Sequence, residues 1–299
     1  MMDQLLDLTR QLLNGLQVGS IYALVALGYT MVYGIVKLIN FAHGDFIMVG
    51  GYVSIVAIPM LVSNGLPAWL CVVAAVAVCS IIGVVSERAA YKPLREAPRI
   101  SALITAIGVS LFLQNLFMII FTPNGMPFPN LFDKTPIILG KIQVSKVTLI
   151  TIVVSILLMV GLNLFVKRTR VGKAMRAVSE DAGAARLMGI SVNATISATF
   201  AIGSGLAAVA SVLYCSSYPL VDPNIGSMLG LKAFVAAVLG GIGIIPGAML
   251  GGLALGIAES LTKAYISSKV ADAVVFGILV VVLLVKPSGI LGKNVGEKV

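Results

Sequence analysis

Asn40, His43, Gly44 and Asp45 lie within one short string, GIVKLINFAHGDFIMVGG (34–51), between two apolar halves. An amide, an imidazole and a carboxylate at that spacing could relay a proton, hold a cation or contact a polar solute. Ionisable groups inside a membrane segment are functional candidates by default. His43 is the single histidine of the chain, and the ligands visible near it do not make a metal site. Satisfying the interrupted backbone suits His43 better than a proton switch at neutral pH. Farther along, Glu259 stands in an apolar helix with Lys263 four residues on, the spacing of an i,i+4 ion pair near an outer helix end.

A second glycine-rich stretch, GGIGIIPGAMLGG (240–252), contains Gly240, Gly241, Gly243, Pro246 and Gly247. Non-helical backbone exposed to hydrocarbon leaves amides unsatisfied, so a break survives only when packed in protein or lining a wet cavity. Interrupted segments in both halves of a chain are a pattern of transporters with a route near the midplane. The plainer reading is close helix packing, since Gly247 and Gly251, and Gly252 and Gly256, form two GxxxG pairs. Gln114 and Asn115 in an intervening run suit bonds between helices better than solute contact.

A third candidate is the string KRTRVGKAMRAVSEDAGAARLMGISVN (167–193). It predicts a short helix with Ser179 as N-cap, Glu180 and Asp181 in its first turn, and Gly189 as its stop. Ala184, Ala185 and Met188 would then form a small apolar patch. Either a docked partner or the membrane surface could cover that patch.

These residues need a scaffold, and the composition says which kind. The chain of 299 residues is 59% hydrophobic and 11% charged, with mean hydropathy +1.04, whereas soluble domains are roughly 25% charged. Apolar runs of membrane length, about 20 residues, cover 12–33, 46–63, 67–86, 100–122, 147–166, 194–216, 230–262 and 270–286. The expectation is an all-α polytopic membrane protein forming one unit over 1–299. It has about eight transmembrane helices and broken or re-entrant segments in both halves. The run 230–262 exceeds one ordinary crossing and reads as a broken pair.

The net charge of +9 sits mainly in loops between apolar runs, which points to membrane orientation and away from nucleic acid. Segment 87–99 holds Arg88, Lys92, Arg95 and Arg99. Segment 167–186 holds Lys167, Arg168, Arg170, Lys173, Arg176 and Arg186. Both belong on the cytoplasmic side by the positive-inside rule. Loop 123–146 and segment 217–229 then fall outside, the tail with Lys286, Lys293 and Lys298 inside, and the N-terminus outside. Met1 to Arg10 lacks the basic start of a cleaved signal peptide. Cys71, Cys79 and Cys215 lie in apolar runs, without metal or disulfide spacing.

The strings GSIYALVALGYTMVYGIVKLINFAHGDF (19–46), SALITAIGVSLFLQN (101–115), RAVSEDAGAARLMGI (176–190) and KAFVAAVLGGIGIIPGAMLGGLALGIAES (232–260) closely resemble LivH-type branched-chain amino-acid ABC importer permeases. The resemblance runs from Asn14 to Gly292, with loop 123–146 contributing little. It implies an inner-membrane subunit beside a second related permease, two cytoplasmic ATPases and a periplasmic binding protein delivering leucine, isoleucine or valine. ATP and Mg would be held by the partner ATPases and no cofactor by this chain, which has no G-x-x-x-x-G-K-[ST] phosphate loop. The resemblance also makes Glu180, Asp181, Ala184 or Ala185, and Gly189 a coupling helix at the ATPase contact. Permeases of this architecture for urea, short amides or other amino acids are the alternative. A membrane-embedded enzyme lacks its nucleophile or metal constellation here, and a passive channel would not depend on ATP.

Overall fold

The computed structural model describes residues 2–292 except 96, 134, 140 and 141; Lys293 and Lys298 of the expected inner tail lie outside them. Among the described residues the apolar runs are helices. They are α1 (Met2–Val36), α2 (Asp45–Ser63), α3 (Cys71–Ser86), α4 (Arg99–Ile120) and α5 (Lys146–Arg168). After two short helices, α6 (Arg170–Glu180) and α7 (Ala182–Leu187), follow α8 (Val192–Ser217), α9 (Ile225–Gly240), α10 (Ile245–Tyr265) and α11 (Ala271–Val285). Seven helical segments are long and apolar enough to cross a membrane, and α9 and α11 are shorter apolar helices. The run 230–262 is indeed broken, into α9 and α10, at residues 241–244.

Helix α1, at 35 residues, is about 50 Å long and forms the centre of the bundle. It packs against α10, α8, α5 and α9. Two GxxxG pairs explain how α10 fits so closely. Gly247 and Gly251 set their bare faces on the backbone of α9 at Gly240 and Ala236, while Gly252 and Gly256 face Ala23 and Gly19 of α1. One helix thus meets two neighbours at backbone distance, as van der Waals association in lipid favours. Helices α4, α5 and α11 lie at the periphery, with Ile104, Phe112, Ile119, Leu157 and Leu284 exposed. Those side chains have the character of a lipid-facing surface.

The first break is a change of direction in depth. Helix α1 ends at Val36, Lys37 takes a left-handed φ of 56°, and a short turn at Phe41–His43 leads into α2. The His43 ring occupies the notch left by the missing Cβ of Gly28. Gly28 precedes the end of α1 by eight residues, about 12 Å along a helix. The chain has therefore climbed back beside α1 before α2 begins. Between the helices, β1 (Met126–Pro127) pairs with the strand Leu220–Val221, whose Val221 is buried against Gly51 of α2, and a hairpin joins β2 (Pro136–Leu139) to β3 (Ile142–Ser145).

Candidate functional site

Asp45 is the first residue of α2 and only 1% exposed. The Gln114 amide nitrogen of α4 donates to its Oδ1 at 2.8 Å and lies 3.1 Å from both the Ser110 and Ser227 hydroxyls. Its Oδ2 has no partner among the described residues. Gly44 lets this turn approach α9 closely, since a Cβ there would collide with Gly226 and Gly230. Asn40 accepts from the Tyr91 hydroxyl at 2.6 Å. The His43 ring packs edge-on against Tyr29, 4.7 Å between centroids. It sits against α1 with its Nε2 unpartnered, and no bond ties its side chain to the backbone of 37–44 among the described residues. The His43 ring is thus packed on α1, and among the described residues it makes no side-chain bond to the interrupted backbone. Gln114 does bond between helices; Asn115 instead bonds the Leu111 carbonyl of its own helix.

At the second break Gly241 and Gly243 have φ of 107° and 92°, a region that favours glycine. Pro246 opens α10 in its first turn, where its missing N–H costs nothing. Gly240 and Gly247 pack on each other. The tail closes this end: Ile290 and Leu291 N–H groups donate to the carbonyls of Leu239 and Gly240 at 2.8 and 3.1 Å, satisfying the end of α9. Gly243 also lies beside Gly34, whose Cβ would sit 3.6 Å from the Gly243 Cα. The two interrupted segments thus meet at Gly34 and Gly243, while Asp45 lies apart on the α4–α9 side.

A polar network missed by the sequence reading lies between α1, α9 and α10. Lys232 donates to Glu259 Oε1 at 2.8 Å and to Asp272 Oδ1 at 2.6 Å. The expected Lys263 pair is present at 2.7 Å, and the Tyr22 hydroxyl donates to Glu259 Oε2 at 2.7 Å. Lys232, a lysine in an apolar run, was the signal that could have revealed it. Tyr22, Lys232, Glu259 and Lys263 line a cavity of about 350 Å³ together with Tyr214, Asp222 and Asn224. In segment 87–99, Glu87 is likewise buried, paired with Arg95 and accepting from Ser197 at 2.7 Å.

The segment 167–193 departs from its expected form in detail. Ser179 lies within α6 and bonds back to the Arg176 carbonyl, and Glu180 ends that helix. The N-cap of α7 is Asp181, whose carboxylate accepts from the amides of Gly183 and Ala184 at 2.7 and 2.9 Å. An extended backbone at Asp181 (φ −152°, ψ 108°) divides the two helices, and a carboxylate at a helix start outperforms a hydroxyl inside the preceding turn. Gly189 does stop the helix, with φ of 80°. Ala185 is 4% exposed and packs with Val178, Val192, Ile196 and Phe200, so it does not belong to an outer patch. Leu187 and Met188, 90% and 82% exposed, form the patch beside exposed Ala184.

A bundle of long apolar helices around α1, interrupted in both halves, with α6 and α7 set between spans, defines a polytopic helical membrane permease. Residues 11–284 match the family described as Branched-chain amino acid transport system / permease component. The chain belongs to that family and is a multi-pass protein of the inner membrane. It is 46% identical to the high-affinity branched-chain amino acid transport system permease protein LivH of Salmonella typhimurium, covering 100% of both chains. It is 45% identical to BraD, the corresponding permease protein of Pseudomonas aeruginosa, also over 100% of both. A probable LivH permease of Methanocaldococcus jannaschii is 31% identical over 91% of this chain and 89% of its own length. No solved structure matches the chain.

Proposed function

We propose that the chain is the permease subunit of an ABC importer that moves leucine, isoleucine and valine across the bacterial inner membrane. It works beside a second homologous permease, two cytoplasmic ATPases holding ATP and Mg, and a periplasmic binding protein. The full-length similarity to permeases named for branched-chain amino acids supports the substrate class. The observation that carries the coupling is α7. Its buried side, at Ala185, is anchored to α8, and its other side presents Leu187 and Met188 bare, an arrangement suited to an apolar socket on a partner. Glu180 ends α6, Asp181 caps the start of α7 and Gly189 closes it, so ATPase closure would push α7 and shift the attached α8. Alternating access of this kind moves packed elements between discrete states.

The route would pass near the two breaks, at Asn40, His43, Gly44 and Asp45 on one side and Gly240, Gly241, Gly243, Pro246 and Gly247 on the other. The test is uptake of radiolabelled leucine, isoleucine and valine into proteoliposomes holding the chain with its co-purified partners. Uptake that requires both ATP and binding protein is expected. ATP-independent flux would make it a channel, and flux of urea or short amides alone would move it to that substrate class.

A further inference from the structure

We infer that the pocket at Asp45, between α4 and α9, is a half-site for the ammonium group and aliphatic side chain of a neutral amino acid. This rests on the importer reading above. The pocket holds about 240 Å³ and is lined by Asp45, Ser110, Ser227, Phe41, Ile107 and Leu231. Drug-sized ligands occupy about 300–1,000 Å³, so this one suits a solute of few heavy atoms.

Asp45 lines the pocket, and its Oδ2 is buried with no partner among the described residues. The carboxylate has no ion pair among the described residues, and an uncompensated charge in an apolar surrounding is costly. Gln114 occupies Oδ1 and so fixes the carboxyl plane, leaving Oδ2 for a ligand. An ammonium group has three donors and no acceptor. Asp45 and the hydroxyls of Ser110 and Ser227, the latter two also beside the Gln114 amide, supply the acceptors among the lining residues. Phe41, Ile107 and Leu231 supply an apolar wall of the kind a branched aliphatic side chain fills. The same set is poor for a hard metal ion, which takes six or more oxygens.

The experiment uses the complete importer in proteoliposomes and reads leucine transported per ATP hydrolysed. Wild type must first show uptake dependent on ATP and binding protein; its absence would defeat the importer reading and leave no transport to assign. With that uptake present, Asp45→Asn should lower the ratio by about tenfold or more, as for a lost hydrogen bond to a charged group. Asp45→Glu should recover part of it. A ratio within about twofold of wild type in Asp45→Asn overturns the half-site, including when uptake and hydrolysis fall together as a structural lesion would make them. Should Asp45→Asn fail to assemble, Ser227→Val, which removes a hydroxyl and narrows the pocket, takes its place. An unchanged ratio there overturns the proposal equally.

Discussion

Lys232 reaches across from α9 to Glu259 of α10 at 2.8 Å, and Glu259 is simultaneously the acceptor for Lys263 and Tyr22. One carboxylate therefore compensates two ammonium groups, and Asp272 shares the first of them at 2.6 Å. Removing one member of a buried pair costs more than removing both, because the remaining charge is left without its partner. Glu259→Gln should lower stability in detergent by roughly 3 kcal/mol, and adding Lys232→Met should recover part of that loss. A thermal-unfolding double-mutant cycle checks it. Additive effects would mean that the two charges do not stabilise each other.

The apolar runs were legible because lipid demands long uninterrupted helices; six of the eight appear near their expected bounds, while α1 begins ten residues before the run 12–33 and the run 230–262 is the two helices α9 and α10. The first break was legible through glycine and the second through glycine with Pro246, although Gly247, Gly251, Gly252 and Gly256 serve close helix packing. What the sequence hid was partnership across distance. Lys232 and Glu259 are 27 residues apart, and Tyr22 and Glu259 are 237 apart. The Ser179 cap failed for a local reason: Asp181, expected in the first turn, has an extended backbone and is itself the cap of α7.

Gly252 shows how much of the α1–α10 contact depends on a missing side chain. A Cβ there would sit 2.5 Å from the Cα of Ala23, and the obstacle is backbone, which cannot rotate away. Gly252→Leu should separate the two helices and cost about 1–3 kcal/mol or more. Lower thermal stability of the purified variant is the expected result. Wild-type stability would show that α1 and α10 separate without penalty.

Asp133 in loop 123–146 gives a pH dependence of known sign. Its hydrogen bond from Lys146, with further bonds from Thr135, holds its carboxyl at about 2, below the ordinary 3.8. The unfolded loop therefore binds the proton first, so the contribution is complete above about pH 4 and disappears between about pH 4 and 2. Amide exchange at Thr135, corrected for intrinsic rates, should keep constant protection from pH 7 to 5, and high salt should weaken the exposed pair. A titration near pH 6 would contradict this assignment.

Helix α7 separates folding from coupling within three residues. Ala185 packs among Val178, Val192, Ile196 and Phe200, so Ala185→Trp would overfill a closed space and should destabilise the cytoplasmic segment by about 1–3 kcal/mol. Lost uptake in that variant would report damaged packing as much as lost contact. Leu187 and Met188 are the informative positions because they touch solvent in the isolated chain. Leu187→Asp combined with Met188→Asp should leave membrane insertion and thermal stability near wild type, since surface changes usually stay within about 0.5 kcal/mol. An apolar socket on an ATPase would reject both carboxylates, and desolvating them would cost several kcal/mol. Co-purification of the ATPases should therefore fall at least about tenfold, and uptake with it. Wild-type co-purification and uptake in the doubly charged variant would place the ATPase contact elsewhere on the cytoplasmic face.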